Sequence, residues 1–95
     1  MRVDRSKAIR SLCQKGFRKD ESRDHLYFYH EFKGKETGSW TKISHSGKRR
    51  DIAGDLLVCM RKQLRLDNTA QAVDLLKCPM DGDLFNSVLK RKGVF

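Results

Sequence analysis

The sequence is short of the residues that cross-link, break or span. Its 95 residues hold one proline, one tryptophan and three cysteines. The cysteines, Cys13, Cys59 and Cys78, are odd in number and widely spaced, with no CxxC pair. That pattern argues against a zinc site or a disulfide framework, and leaves three reduced thiols packed as small hydrophobes. No long apolar run occurs, which excludes a membrane-spanning helix. The N-terminus lacks the apolar region of a secretory signal, so the expected compartment is the cytoplasm. Neither internal repeats nor low-complexity segments occur. No cofactor or metal is implied by any motif.

Acidic residues are also scarce relative to basic ones. Twelve Asp and Glu face 21 Lys and Arg, a formal net charge of +9. An excess of that size in one small domain attracts a polyanion, with nucleic acid the leading candidate. A lipid surface is disfavoured, because the apolar positions are committed to a core. A chain this short buries a modest core and cannot also enclose a deep substrate cavity, so its site is expected on an open surface.

What is present reads as a succession of short elements. Ala8, Ile9, Leu12 and Cys13 form an apolar stripe on a helix over residues 5–15, with Gly16 just past its end. A short strand follows from Phe17 to Asp20, then a polar turn. Residues 25–32 are rich in aromatics and alternate as a strand, with Leu26, Phe28, His30 and Phe32 toward the core and His25, Tyr27, Tyr29 and Glu31 on the other face. Lys33 to Ser39 reads as a hairpin loop, and Trp40 to His45 as a third strand. A basic loop, Ser46 to Arg50, leads into a helix from Asp51 to Leu66, with Ile52, Ala53, Leu56, Leu57, Met60 and Leu64 as its apolar stripe and Gly54 inside it.

Two short helices close the chain. Thr69 is the expected N-cap of the first and Asp81 of the second, with Pro79 between them and Gly93 at the end. The expected fold class is therefore α+β: a three-stranded antiparallel sheet with helices on one face, in the order α-β-β-β-α, plus a C-terminal helical hairpin. Residues 1–66 are expected to form the main domain. Residues 67–95 are expected to dock on it or on a second copy in a homodimer, because helices this short need tertiary packing.

This order, together with Lys15-Gly16-Phe17, the segment Ser22-Arg23-Asp24-His25-Leu26-Tyr27 before an aromatic strand, and Ile43-Ser44-His45, resembles the HicA (YcfA-like) family of bacterial toxins over about residues 5–66. The resemblance implies a fold similar to a double-stranded-RNA-binding domain. It implies sequence-tolerant, metal-independent cleavage of mRNA, with neutralisation by a HicB-type antitoxin. His25 falls at the family's motif histidine and is the candidate catalytic residue.

The residues support that reading without the family. Imidazole accepts and returns a proton near neutral pH, and RNA carries its own nucleophile in the 2′-hydroxyl. Tyr27 and Tyr29 share His25's face, where they can stack on unpaired bases. Aromatics also favour strands for packing reasons alone. Lys48, Arg49 and Arg50, contiguous before a helix, suit a phosphate site, and Arg18, Lys19 and Lys42 extend the patch. A solvated charge run is the plainer account of the same residues. His45 is a minor candidate for a second proton-transfer group, and His30 is expected to be packed in the core. Lys90, Arg91 and Lys92 complement a helix C-terminus. Three functions stay open: an mRNA-cleaving toxin, a non-catalytic RNA-binding module, and a domain that binds an acidic protein.

Overall fold

The computed structural model of the chain describes residues 2–22, 25–44, 51–77 and 80–95. In chain order the elements are β1 (Arg2–Asp4), α1 (Arg5–Gln14), β2 (Phe17–Glu21), β3 (His25–Phe32), β4 (Lys35–Ser44), β5 (Asp51–Ala53), α2 (Asp55–Leu64), α3 (Thr69–Leu76) and α4 (Gly82–Arg91). The fold is α+β, and β2, β3 and β4 form the expected three-stranded antiparallel sheet with β3 at its centre.

Several local readings change. Asp51–Ala53 is a strand, not the first turn of a helix. It pairs antiparallel with β1, placing Ile52 opposite Val3, and both side chains are buried. Gly54 then takes φ +58° at the N-cap, and the helix starts only after it. This is a conformation that glycine adopts without a Cβ clash. Gly54 is therefore the start signal of α2 and not a weak point within it. Leu56, assigned to the buried stripe, points outward at 45% exposure, while Leu57, Met60 and Leu64 face the core.

The expected loop over residues 33–39 is shorter than its composition suggested. Lys33 and Gly34 both have positive φ and make a two-residue hairpin turn. Pairing resumes at once, Phe32 with Lys35 and Glu31 with Glu36. The polar residues Thr37 to Ser39 are absorbed as an irregularity in β4, with Gly38 at φ +94°. The end of α2 seats on that irregularity: Ser39 Oγ donates to Leu64 O at 2.8 Å, and Arg65 Nε to Gly38 O at 3.3 Å.

A further change concerns cysteine. Cys13 and Cys59 are exposed, so neither packs as a small hydrophobe. Ala8 and Leu12 alone carry the buried apolar stripe of α1, with Ile9 partly buried beside them. Cys78 and Pro79 lie outside the described residues.

One buried cluster takes side chains from both parts of the chain, from Val3 and Phe28 to Leu75, Phe85 and Leu89. The two closing helices pack against different partners and not chiefly on each other. α3 lies against α1 and α2. α4 lies under the sheet, where the Phe85 ring sits 5.4 Å from Phe17 and 4.9 Å, edge-on, from His30. The caps are Asn68, whose side chain accepts from Gln71 N, and Asp81, which accepts from Leu84 N. Asn68, one residue before the expected Thr69, supplies the α3 cap. At the far end of α4, Lys92 Nζ donates to Arg65 O at 2.7 Å and pairs with Asp67 at 2.8 Å. These contacts place the helices on the Leu26–Phe28–His30 side of the sheet and leave the other side to the tyrosines.

Candidate nucleic-acid interface

Strand alternation builds the site. β3 sends Leu26, Phe28 and His30 into the core, all below 8% exposure, and turns His25, Tyr27, Tyr29 and Glu31 the other way, half-buried. Antiparallel register then fixes their neighbours, because directly opposed residues share a face. Tyr29 lies between Arg18 and Trp40, and Tyr27 between Asp20 and Lys42. His25 is opposite Ser44, at the end of the sheet.

The result is an aromatic platform. The Tyr27 and Tyr29 rings are near-parallel, 8° apart in tilt, with centroids 6.1 Å apart. Trp40 closes the group at 6.3 Å from Tyr27, tilted 29°. His25 extends it, with its ring 6.2 Å from Tyr27. Near-parallel, half-exposed rings on one sheet face form the kind of aromatic group on which a base can stack, largely regardless of sequence. Trp40 is the member that sequence reasoning did not single out. Its parity in β4, shared with Lys42, was the available signal.

Ser22 holds the histidine's backbone. Ser22 N and Oγ both donate to His25 O, at 3.0 and 2.9 Å, and His25 N donates back to Ser22 Oγ at 3.4 Å. Ser22 thus ties the end of β2 to the start of β3 and sets where the imidazole begins.

The expected cations divide into four groups. Lys42, half-buried beside Tyr27, is the cation best placed for a phosphate next to a stacked base. Arg18 is on the correct face but engaged: Nε meets Glu31 at 3.0 Å, Nη2 meets Glu36 at 3.4 Å, and Nη1 lies 4.0 Å from Asp20. Its guanidinium also sits 5.1 Å from the Tyr29 ring centre. The hydrogen bond to Glu31, with the surrounding carboxylates, raises its pKa further above an already high value. Glu31 and Glu36 oppose each other in register, a destabilising pairing, and Arg18 bridges them. Its role is to brace the platform's edge.

Lys19 is opposite Phe28 and so lies on the helical side of the sheet, where it pairs with Glu21 at 3.6 Å. It does not join the tyrosines. Lys48, Arg49 and Arg50, and the minor candidate His45, lie outside the described residues.

His30 is the packed core histidine that its parity implied, 1% exposed. Nδ1 lies 2.8 Å from Thr37 Oγ1 and Nε2 lies 2.8 Å from Asn86 Oδ1. Burial pushes its pKa below the ordinary value, against an opposing pull from Asn86.

Among the described residues, no group of three His, Cys, Asp or Glu is placed to hold a metal ion. No helix among them is long and apolar enough to cross a membrane. No family model, curated protein or solved structure matches the chain.

Proposed function

We propose that the chain is an RNA-binding protein that takes unpaired bases on Tyr27, Tyr29 and Trp40 and cleaves the strand beside them with His25. The observation that carries the binding half is the aromatic platform: three rings on one sheet face, with Tyr27 and Tyr29 near-parallel and Lys42 directly across from Tyr27. Stacking supplies affinity without sequence choice, and the net charge of +9 supplies attraction to the backbone.

The cleavage half rests on the resemblance to HicA-type toxins and on the place of His25 at the platform's end. In this chemistry imidazole takes the proton of a 2′-hydroxyl, and the O2′ attacks the adjacent phosphorus. The P–O5′ bond breaks, and the leaving oxygen takes up a proton. The products are a 2′,3′-cyclic phosphate and a 5′-hydroxyl end. On this reading the substrate is mRNA in the cytoplasm, and a HicB-type antitoxin neutralises the chain by covering the platform.

The second reading, a binding module without catalysis, is favoured by the same three rings and needs nothing from His25. One comparison separates them. RNA binding and end-labelled RNA cleavage are measured for wild type, His25→Ala and Tyr27→Ala/Trp40→Ala. Binding that survives His25→Ala while cleavage disappears supports the nuclease. Binding with no cleavage by wild type leaves the module. Unchanged binding by the double aromatic variant rejects the platform.

A further inference from the structure

On the helical side of the molecule, α1 and the end of α3 enclose a cleft of about 240 Å³ lined by Lys7, Arg10, Ser11, Gln14, Lys15 and Lys77. Four of these side chains are cationic and none is acidic. Lys7, Arg10 and Gln14 recur at three- and four-residue spacing and so share one side of α1. The cleft is held by buried chemistry. The Lys15 ammonium donates to the carbonyls of Leu75 and Lys77 at 2.7 and 2.8 Å, and Ser11 Oγ donates to Lys77 O at 2.9 Å. These bonds cap α3 and fix the Lys77 backbone beside α1.

The cations of this cleft differ from those that carboxylates hold elsewhere in the chain. Arg18 meets three carboxylates and Lys92 meets Asp67. Among the described residues, Lys7, Arg10 and Lys77 make no ion pair. Gathering like charges without a counter-charge opposes folding through self-repulsion, and a bound anion removes that repulsion. The volume is below the roughly 300–1,000 Å³ of small-molecule pockets, so one phosphate group suits it better than a whole nucleotide.

We propose that this cleft is a phosphate site for an RNA backbone, a second contact remote from the aromatic platform and made by Lys7, Arg10 and Lys77. Its ligand rests on the RNA reading above; its location does not. Two contacts on different sides of one small domain hold a strand that wraps it, or two segments of a folded RNA.

The test is the salt dependence of binding to an RNA oligonucleotide, measured for wild type, Lys7→Ala/Arg10→Ala/Lys77→Ala, Lys7→Arg/Arg10→Lys/Lys77→Arg and Tyr27→Ala/Trp40→Ala, with thermal melts confirming that each is folded. Loss of three phosphate contacts should reduce the slope of log affinity against log salt by about 2 for a single strand. The charge-conserving triple variant should keep the wild-type slope. The aromatic variant should lose affinity at an unchanged slope. Wild-type slope and affinity in the alanine triple variant overturn the cleft and leave the platform standing. A lowered slope there, with no effect of the aromatic changes, upholds the cleft and removes the platform. Absence of RNA binding by wild type overturns both.

Discussion

Nε2 of His30 lies 2.8 Å from Oδ1 of Asn86, joining the central strand β3 to α4 across the core. Asn86 Oδ1 can only accept, so Nε2 carries a proton. Nδ1 lies 2.8 Å from the Thr37 hydroxyl, which also reaches His30 O at 3.4 Å. Both ring nitrogens are therefore satisfied inside the core. The same ring packs between Phe17 and Phe85. The histidine is thus the joint at which β3, the β4 irregularity and α4 meet.

That joint predicts an acid-sensitive fold. Burial lowers the pKa of His30 in the folded chain, so the unfolded chain binds a proton more readily. The contribution is fully present above the unfolded value of about 6.5 and is lost as pH falls below it and through the lower folded value. Urea melts between pH 8 and pH 5 should show stability falling with acid over this window. His30→Gln should flatten that part of the curve. A wild-type curve that rises or stays level between pH 6.5 and pH 5 would reject a neutral, buried His30.

The platform predicts a division between aromatic and cationic changes. Tyr27→Ala and Trp40→Ala should each weaken single-stranded RNA binding by about 1–3 kcal/mol, the usual worth of a base stacked on a ring. Tyr27 adjoins Tyr29, Trp40 and His25 and should be the more costly. Fluorescence of the one tryptophan should change on binding, since Trp40 is at the contact. Binding without any change in that fluorescence would move the RNA elsewhere.

Arg18 gives the complementary outcome. Its charge is already matched by Glu31, Glu36 and Asp20. Arg18→Ala should therefore leave the salt slope of RNA binding unchanged, whereas Lys42→Ala should reduce it by about 1. Measuring the two slopes side by side decides whether Arg18 is a brace or a phosphate contact. Equal reductions would make it a contact.

The difference between Arg18 and Lys42 marks how far the sequence could be read. Alternation alone separated the buried side of β3 from the exposed one, because hydrophobic pattern and strand period agree from Leu26 to His30. It could not place Lys19, whose face depends on pairing with Phe28 across a register that no local pattern encodes. Nor could it reveal that Arg18 is engaged, since its partners come from two other strands. Asp51–Ala53 failed for a related reason. Ile52 fits a helical stripe and a buried strand equally well, and only its pairing with Val3, 49 residues away, decides. Gly54 was visible, but its meaning depends on a positive φ that a helical period hides. The basic cleft escaped because Lys77 lies far from Lys7 and Arg10 in sequence.

The closing helices predict a strong penalty for their loss. Leu75, Leu76, Phe85 and Leu89 are 0% exposed and belong to the same cluster as Leu12 and Phe28. Phe85→Ala should cost about 3–5 kcal/mol, the usual cost of emptying a buried phenylalanine site. Domains of this size have only about 5–15 kcal/mol in total. Deleting residues 67–95 should therefore give an unfolded or aggregating chain, read by loss of a cooperative melt. A truncated chain that melts with the wild-type midpoint would mean that residues 2–66 form a self-sufficient core.

The decisive prediction concerns His25. Ser22 fixes its backbone and Tyr27 flanks its ring, so on the proposed reading the imidazole would stand at the end of the strand stacked on the platform. Expression of the wild-type chain in a bacterial host should slow growth, and His25→Ala at equal soluble level should relieve it. In vitro the wild-type products should carry 2′,3′-cyclic or 3′-phosphate ends, because the 2′-hydroxyl is the nucleophile in this scheme. Cleavage that proceeds in excess EDTA would fit an imidazole-driven route, while abolition by chelator and rescue by a divalent ion would reject it. His25→Ala should keep RNA affinity within about twofold, since one ring of the group is lost while stacking on Tyr27, Tyr29 and Trp40 remains. That separation of binding from cleavage identifies a proton-transfer group. A variant that loses both together would make His25 a binding residue, and equally harmless wild-type and variant chains would remove the toxin reading while leaving the RNA platform to its own test.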